Sequence, residues 1–299
     1  MYFFHALIIT NKKELLKSFV MVLIVGKIEY MRIASYNIMS GGFDSYTCAA
    51  AMPQRLPVLK AAIRALEADI VGLVDTFRWD EVFSTNELRK LFDYNYAFCI
   101  NLNDDRLRKK GHNNGLTLLS NVPLTDAHAL RIATRDAIVA RLPGNITLVL
   151  AYLDDLSEDT RLGQVKALSS KLSAKEPTIV IGDLNAVKKN EVAALKEWLA
   201  VFYKDNPDLE DKQGPIITDM QRGEVITLLE SLGLQDADTT SSPTFPTRLF
   251  PAKSDRPFVR LAYCFHSSSV KITNFTVRTQ NIFQKASDHF PIVFDAEIR

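Results

Sequence analysis

Two short polar runs in this chain have the residue types and spacing of hydrolytic chemistry. Gly182-Asp183-Leu184-Asn185 follows directly on the apolar run Thr178-Ile179-Val180-Ile181, and Ser287-Asp288-His289 lies near the carboxyl end. The first places a carboxylate and an amide, separated by one residue, at the end of a predicted strand; the second adds an acid and an imidazole. A carboxylate can orient and deprotonate an attacking water, while imidazole and amide groups meet the charge that develops on phosphoryl oxygens. Asn37 and Asp75 end two further predicted strands. An acid and an amide there offer oxygen ligands suited to Mg²⁺ or Mn²⁺, hard cations that bind through one or two carboxylates. Taken singly, each of these residues is ordinary. Asp and Asn are turn formers, Asp75 could cap the next segment, and a lone His beside a strand is commonly structural. Their joint occurrence, in this order, points to hydrolysis of a phosphate ester.

The elements that must position these groups can be read from periodicity. Met31 to Asn37 alternates as a strand, and Gly41-Gly42 breaks it into a loop. Leu56, Leu59, Ile63 and Leu66 recur at helical spacing, which predicts an amphipathic helix from Gln54 to Glu67. Asp69 to Val74 is the next strand and ends at Asp75. Leu116 to Leu119, Ile138 to Arg141 and Ile146 to Tyr152 read as strands, and a helix from about Thr160 leads into the Ile179 strand. Lys189 to Tyr203 looks helical, Asp205 to Gly214 reads as a polar excursion containing Pro and Gly, and Val225 to Leu232 forms another helical stripe stopped by Gly233. Arg260 to Phe265 and Pro291 to Ile298 close the series as strands. Simple alternation of strand and helix is excluded by this order. The expected architecture is α/β, a four-layer α-β-β-α sandwich of two mainly antiparallel sheets.

Composition sets the outer bounds. With 299 residues, 47% hydrophobic and 24% charged, the chain is globular. No Gly/Ser- or Pro-rich linker divides it, so a single domain over 31–299 is expected. Its 36 basic and 35 acidic side chains leave a formal charge of +1, which excludes a global field drawing it onto a polyanion. Cys48, Cys99 and Cys264 are odd in number and not closely paired, which argues against a disulfide framework or a zinc site and for a cytoplasmic setting. Residues 1–30 are expected to be an N-terminal extension outside the fold. The apolar run from Phe19 to Gly26 falls short of the ~20 residues that span a bilayer, and no small-x-small cleavage pattern follows it. No stable membrane insertion is expected, and the chain is read as a monomer.

From Met31 to Arg299 the sequence resembles the endonuclease/exonuclease/phosphatase superfamily, which includes pancreatic-type DNases, apurinic endonucleases, neutral sphingomyelinases and inositol-polyphosphate phosphatases. Ser35-Tyr36-Asn37-Ile38 resembles its opening strand, and Asp69-Ile70-Val71-Gly72-Leu73-Val74-Asp75 the stretch that normally ends in a metal-binding Glu. Gly115 to Ser120 resembles the following core strand, and Arg161 with Gln164 an R-x-x-Q helix start. Gly182-Asp183-Leu184-Asn185 matches the G-D-x-N signature and Ser287-Asp288-His289 the terminal S-D-H. The resemblance implies a metal-dependent phosphodiesterase or nuclease. In it Asp183 activates water, Asn185 holds the phosphoryl group or orients Asp183, His289 contacts the scissile phosphate, and Asn37, Asp75 and Asp288 serve the metal.

This chain departs from the family pattern at three positions. Asp75 stands where Glu is usual and is one methylene shorter. Tyr152 stands where most members carry His, although apurinic endonucleases also place Tyr there, and it is read as a phosphate contact. Ala262, in Arg260-Leu261-Ala262-Tyr263, replaces the Asp expected to orient His289. Asp236, Asp238 and Asp255 are candidates to supply the missing acid. The alternative reading is a degenerate member that binds a phosphate ligand without turnover. Arg78, His112 and Asn114 are further candidates for binding substrate, with nucleic acid among the possible substrates; the nearby Arg106, Arg108, Lys109 and Lys110 could equally form a solvated face.

Overall fold

The computed structural model describes residues 30–46, 50–250 and 257–298. Within it, Met31–Arg299 forms one compact unit. Cys48, Asp255 and the expected extension up to residue 29 lie outside the described residues.

Two six-stranded sheets form the centre of the molecule. The strands are β1 (Met31–Asn37), β2 (Ile70–Val74), β3 (Tyr96–Asn101), β4 (Gly115–Ser120), β5 (Thr125–Ile132), β6 (Arg135–Leu142), β7 (Ile146–Tyr152), β8 (Thr178–Asp183), β9 (Gln235–Asp236), β10 (Ala262–His266), β11 (Val270–Val277) and β12 (Ile292–Ile298). One sheet runs β11-β12-β1-β2-β4-β3 and the other β5-β6-β7-β8-β10-β9. Each is antiparallel except at its centre, where β1 lies parallel to β2 and β7 parallel to β8. A parallel pair delivers the carboxyl ends of both its strands to one edge. Asn37 pairs with Val74 beside Asp75, and Tyr152 pairs with Asp183, so both central pairs end in candidate site residues.

Alternation along each strand builds the layers. Ile33 of β1 and Ile179 and Ile181 of β8 enter the core between the sheets, whereas Ala34, Tyr36 and Val180 face outward. Helices α1 (Leu56–Arg64), α2 (Trp79–Val82), α3 (Thr85–Phe92) and α9 (Asn281–Ala286) contribute to the outer core of the first sheet through Leu59, Ile63, Trp79, Leu88 and Phe283. Helices α5 (Glu158–Leu168) and α8 (Glu224–Ser231) cover the second through Val165, Leu168, Val225 and Leu229. The expected four-layer α-β-β-α sandwich is what forms. The two sheets close tightly at Gly72, where a Cβ would come within 2.8 Å of Leu150 and 2.9 Å of Ile181.

Two features depart from the sequence expectation. The excursion expected from Asp205 to Gly214 is helical, part of α7 (Pro207–Met220), which follows α6 (Val192–Asp205). Pro207 opens it at a position where its missing N–H is harmless, Asp208 and Glu210 suit the positive end of the helix dipole, and Ile216, Ile217 and Met220 pack with Leu195 and Leu199. Periodicity also missed β3, β5, β9 and β11, which are the edge strands of the two sheets. Half-exposed edges carry mixed residues such as Val270-Lys271-Ile272-Thr273-Asn274, not apolar runs.

Candidate active site

The ends of β1, β2 and β8, together with the loop before β12, bring the sequence-predicted acids and amides together. Asp183 closes β8 and is 2% exposed. Its Oδ2 accepts from Asn37 Nδ2 at 2.9 Å and its Oδ1 from the Asn185 backbone N–H at 3.0 Å. The backbone before it can hold only glycine, because Gly182 lies at φ 140° and a Cβ there would sit 1.8 Å from the Ala151 carbonyl oxygen. Asn185 itself adopts φ 47° and Asp75 φ 61°, left-handed conformations that Asn and Asp tolerate better than other residues with side chains. Turn chemistry and a polar site therefore coincide at these positions. The Asn185 side-chain amide donates to the Leu153 carbonyl at 3.0 Å, which locks the loop that carries Asp183.

Ser287-Asp288-His289 is tied to the same edge. Ser287 Oγ donates to the Asn37 carbonyl at 2.7 Å and accepts from the His289 N–H at 3.2 Å. Thr247 holds the run from the other side, its hydroxyl on the Ser287 carbonyl at 2.6 Å and its N–H on the Asp288 carbonyl at 2.7 Å. His289 then lies with Nδ1 3.7 Å from Asp183 Oδ2 and Nε2 3.8 Å from Asp288 Oδ1, its ring against Phe245. Nδ1 is buried and has no hydrogen-bond partner among the described residues. Ala262, where the resemblance expects an orienting Asp, pairs with Asp183 across the ladder and presents only a methyl group to the core between the sheets. Neither Asp236 nor Asp238 supplies the missing acid. Asp236 is bound by Arg260 at 2.8 and 3.1 Å, and Asp238 accepts from the Thr240 and Ser242 backbone while lying 3.6 Å from Arg260.

Asp75 is 2% exposed and surrounded by donors. The Ser40 N–H reaches Oδ2 at 2.9 Å, the Tyr46 hydroxyl donates to the same oxygen, and Asn114 Nδ2 reaches Oδ1 at 2.7 Å. Tyr46 is stacked on His112, with ring centroids 4.8 Å apart, so His112 joins the site through it. Burial is the main cause that lifts Asp75 from 3.8 to about 6, against the hydrogen bonds from Tyr46 and Ser40. Burial likewise raises Asp183, with His289 and Asn37 opposing it. Tyr152 is half-buried beside Asp183, with the Arg135 guanidinium 5.0 Å from its ring centre. Burial and then the Asp75 charge push its phenol far above the ordinary range, so it stays protonated and can donate. Arg78 bonds Glu81 at 3.1 Å and the Ala50 carbonyl at 3.3 Å, while Phe77 and Trp79 beside it are core residues.

Sequence reasoning missed two residues here. Tyr46 lies in an irregular loop with no periodic signal. Arg55 donates to the carbonyls of Met39 and Phe43 in the loop after β1 and to that of Ala286 just before Ser287, so one guanidinium joins both halves of the site. Only the distance along the chain, 231 residues between Arg55 and Ala286, hides this bond from local patterns.

The residues present fit a hard divalent cation. A carboxylate accepts about four hydrogen bonds, and three are made to Asp75. Asn37 Oδ1 accepts one, from the Met39 N–H at 3.0 Å, and Asn114 Oδ1 is buried with no partner among the described residues. Among the described residues no Lys or Arg forms an ion pair with Asp75 or Asp183, and the one ion-pair contact to either is His289, 3.7 Å from Asp183. No three His, Cys, Asp or Glu side chains among these residues are arranged to hold a metal, so amide oxygens would have to complete the donor set.

A sequence model of the Endonuclease/Exonuclease/phosphatase family matches residues 34–289. The chain belongs to this family. Members of the endonuclease/exonuclease/phosphatase family are metal-dependent phosphodiesterases and nucleases. Among solved structures, an endonuclease/exonuclease/phosphatase from Beutenbergia cavernae superimposes with a TM-score of 0.62 at 17% identity, covering 90% of this chain and 72% of that one. An AP endonuclease from Archaeoglobus fulgidus gives 0.62 at 15% identity, covering 90% and 99%. The 3′ phosphatase NExo from Neisseria, bound to a product DNA hairpin, gives 0.58 at 15%, with the same coverage. At these identities the likeness establishes the family's fold. No curated protein matches the sequence.

Proposed function

We propose that this chain hydrolyses a phosphate ester, a phosphodiester or nucleic acid in particular, with a divalent cation and a water activated by Asp183. The observation that carries this reading is the setting of Asp183: a buried carboxylate, raised by burial, fixed by Asn37 and the Asn185 N–H and facing His289 at 3.7 Å. A general base so placed takes the proton of the attacking water as the water oxygen bonds to phosphorus and the bond to the leaving oxygen breaks. His289 and the Tyr152 hydroxyl donate to the phosphoryl oxygens, where charge builds in the transition state. Because the Asn185 amide is engaged by Leu153, its part is to orient Asp183 through the backbone. Asn37 and Asp75 would hold Mg²⁺ or Mn²⁺, with Asp288 supporting the site and Asn114 Oδ1 adjoining it; when bound, the ion would supply polarisation of the phosphoryl group and neutralisation of charge. His112 and Arg78 are candidates for binding substrate, His112 being joined to the site through its stack on Tyr46. Cys99 and Cys264 are free thiols, in keeping with a cytoplasmic setting.

A second reading, a phosphate-binding module without turnover, is favoured by one observation: His289 Nδ1 has no hydrogen-bond partner among the described residues, in a chain with Ala262 where the family's orienting Asp is expected. Losing the orienting carboxylate of a catalytic His costs ~10⁴ in turnover in the serine-protease triad. Hydrolysis of bis-p-nitrophenyl phosphate and of plasmid DNA, each with Mg²⁺, Mn²⁺ or EDTA, separates the two. Metal-dependent turnover that Asp183→Asn abolishes supports the hydrolase. No turnover in the wild type, combined with turnover in Ala262→Asp, supports the degenerate binder.

A further inference from the structure

We infer that Tyr46 is a positioning residue for the metal-binding carboxylate, compensating for the short arm of Asp75. The inference rests on the metal reading proposed above. Where a Glu could swing on an extra methylene to reach a cation, Asp75 has a shorter reach, so which of its oxygens is left free by its donors decides what it can offer a cation. Two donors meet at Oδ2, the Ser40 N–H at 2.9 Å and the Tyr46 hydroxyl. They occupy that oxygen and leave Oδ1, which among the described residues accepts only from Asn114, as the oxygen with capacity for a cation. The Tyr46 ring is itself held on two sides. His112 stacks on it at 4.8 Å with an interplanar angle of 24°, and Phe77 meets it edge-on at 5.4 Å. A phenol so confined gives its hydroxyl one direction, toward Asp75. His112 therefore acts on the same carboxylate at one remove, through the stack.

Hydrogen-bond partners of metal-ligating carboxylates fix ligand orientation, and their loss costs ~10 to 100-fold in metal affinity. Tyr46→Phe removes the hydroxyl and keeps the ring, its stack on His112 and its contact with Phe77. The test is Mn²⁺ affinity of the full chain, followed through the electron paramagnetic resonance signal of free Mn²⁺. Circular dichroism and the metal-free melting temperature serve as controls of folding. The expected result is a Kd weakened about 10 to 100-fold in Tyr46→Phe, with Tyr46→Ala, which also frees His112, weaker still. Equal Mn²⁺ affinity in wild type and Tyr46→Phe would overturn the inference while leaving the metal reading standing. Wild type that binds no Mn²⁺ at millimolar concentration overturns both together.

Discussion

Asp183 and Asp75 are buried acids whose charge the fold holds at a cost. Asp75 moves from 3.8 to about 6 and Asp183 moves in the same direction, both chiefly through burial. A raised carboxyl keeps its proton in the folded state at pH values where the unfolded chain has released it. The folded protein then binds more protons between 3.8 and about 6, so stability is full below this window and is lost as pH rises through it. The metal-free protein is expected to melt at a higher temperature near pH 5 than near pH 7, and Mg²⁺ or Mn²⁺ should restore stability at the higher pH. Thermal melts with EDTA and with metal check this; a metal-free protein that is more stable near pH 7 contradicts it. Asp183→Asn removes one of these charges; its one amide oxygen can still accept from Asn37, while the Asn185 N–H loses its acceptor. That variant should lose ~10² to 10⁴-fold in turnover and stay folded, with a melting temperature close to wild type in EDTA. A collapse in stability would instead make Asp183 a structural residue.

At the scale of elements, the parallel pair β7 and β8 decides where Asp183 stands. Gly182 lets the β8 backbone pass the Ala151 carbonyl, where a Cβ would sit at 1.8 Å against backbone that cannot move aside without breaking the ladder. Gly182→Ala is therefore expected to destabilise by at least ~4 kcal/mol, within the exceptional range for a single substitution. Urea unfolding measures this, and a loss under about 1 kcal/mol would show that the strand end is soft. Such softness would leave Asp183 poorly fixed.

For the whole molecule, a further tie between the sheets beyond their apolar core, besides the Asn37–Asp183 bond, is Arg135. From β6 its guanidinium reaches Asp104, in the loop after β3 of the other sheet, at 2.7 Å, Asp155 at 2.7 Å and the Leu153 carbonyl at 2.6 Å. It also lies over the Tyr152 ring, so one buried cation braces the loop after β7 and the phenol at its start. Arg135→Met leaves the buried Asp104 with only the more distant Arg106, at 3.9 Å, as a cationic partner among the described residues and should cost ~3 to 5 kcal/mol in urea unfolding. Replacing Asp104 by Asn in the same protein should recover part of that loss, because the stranded charge is gone.

The sequence by itself determined the central strands, because a strand buried on both faces must be apolar along its length. It also determined the polar residues that end them, because Gly182, Asp75 and Asn185 occupy backbone conformations few residues accept. Order along the chain was enough to mark Asp183, Asn185, Asp288 and His289 as one constellation. The edge strands β3, β5, β9 and β11 were not legible, since half-exposed residues carry no periodic apolar signal. Nor were Tyr46, Arg55 and Arg135, whose bonds join residues that only the closing of two sheets brings within reach. The fate of His289 belongs to the same class. Ala262 announced a missing carboxylate, but that Asp236 and Asp238 are both taken by Arg260, so that Nδ1 has no partner among the described residues, was decided by packing. Local chemistry selects which residues can end a strand; which charges then meet depends on distances that exist only once the sheets have packed.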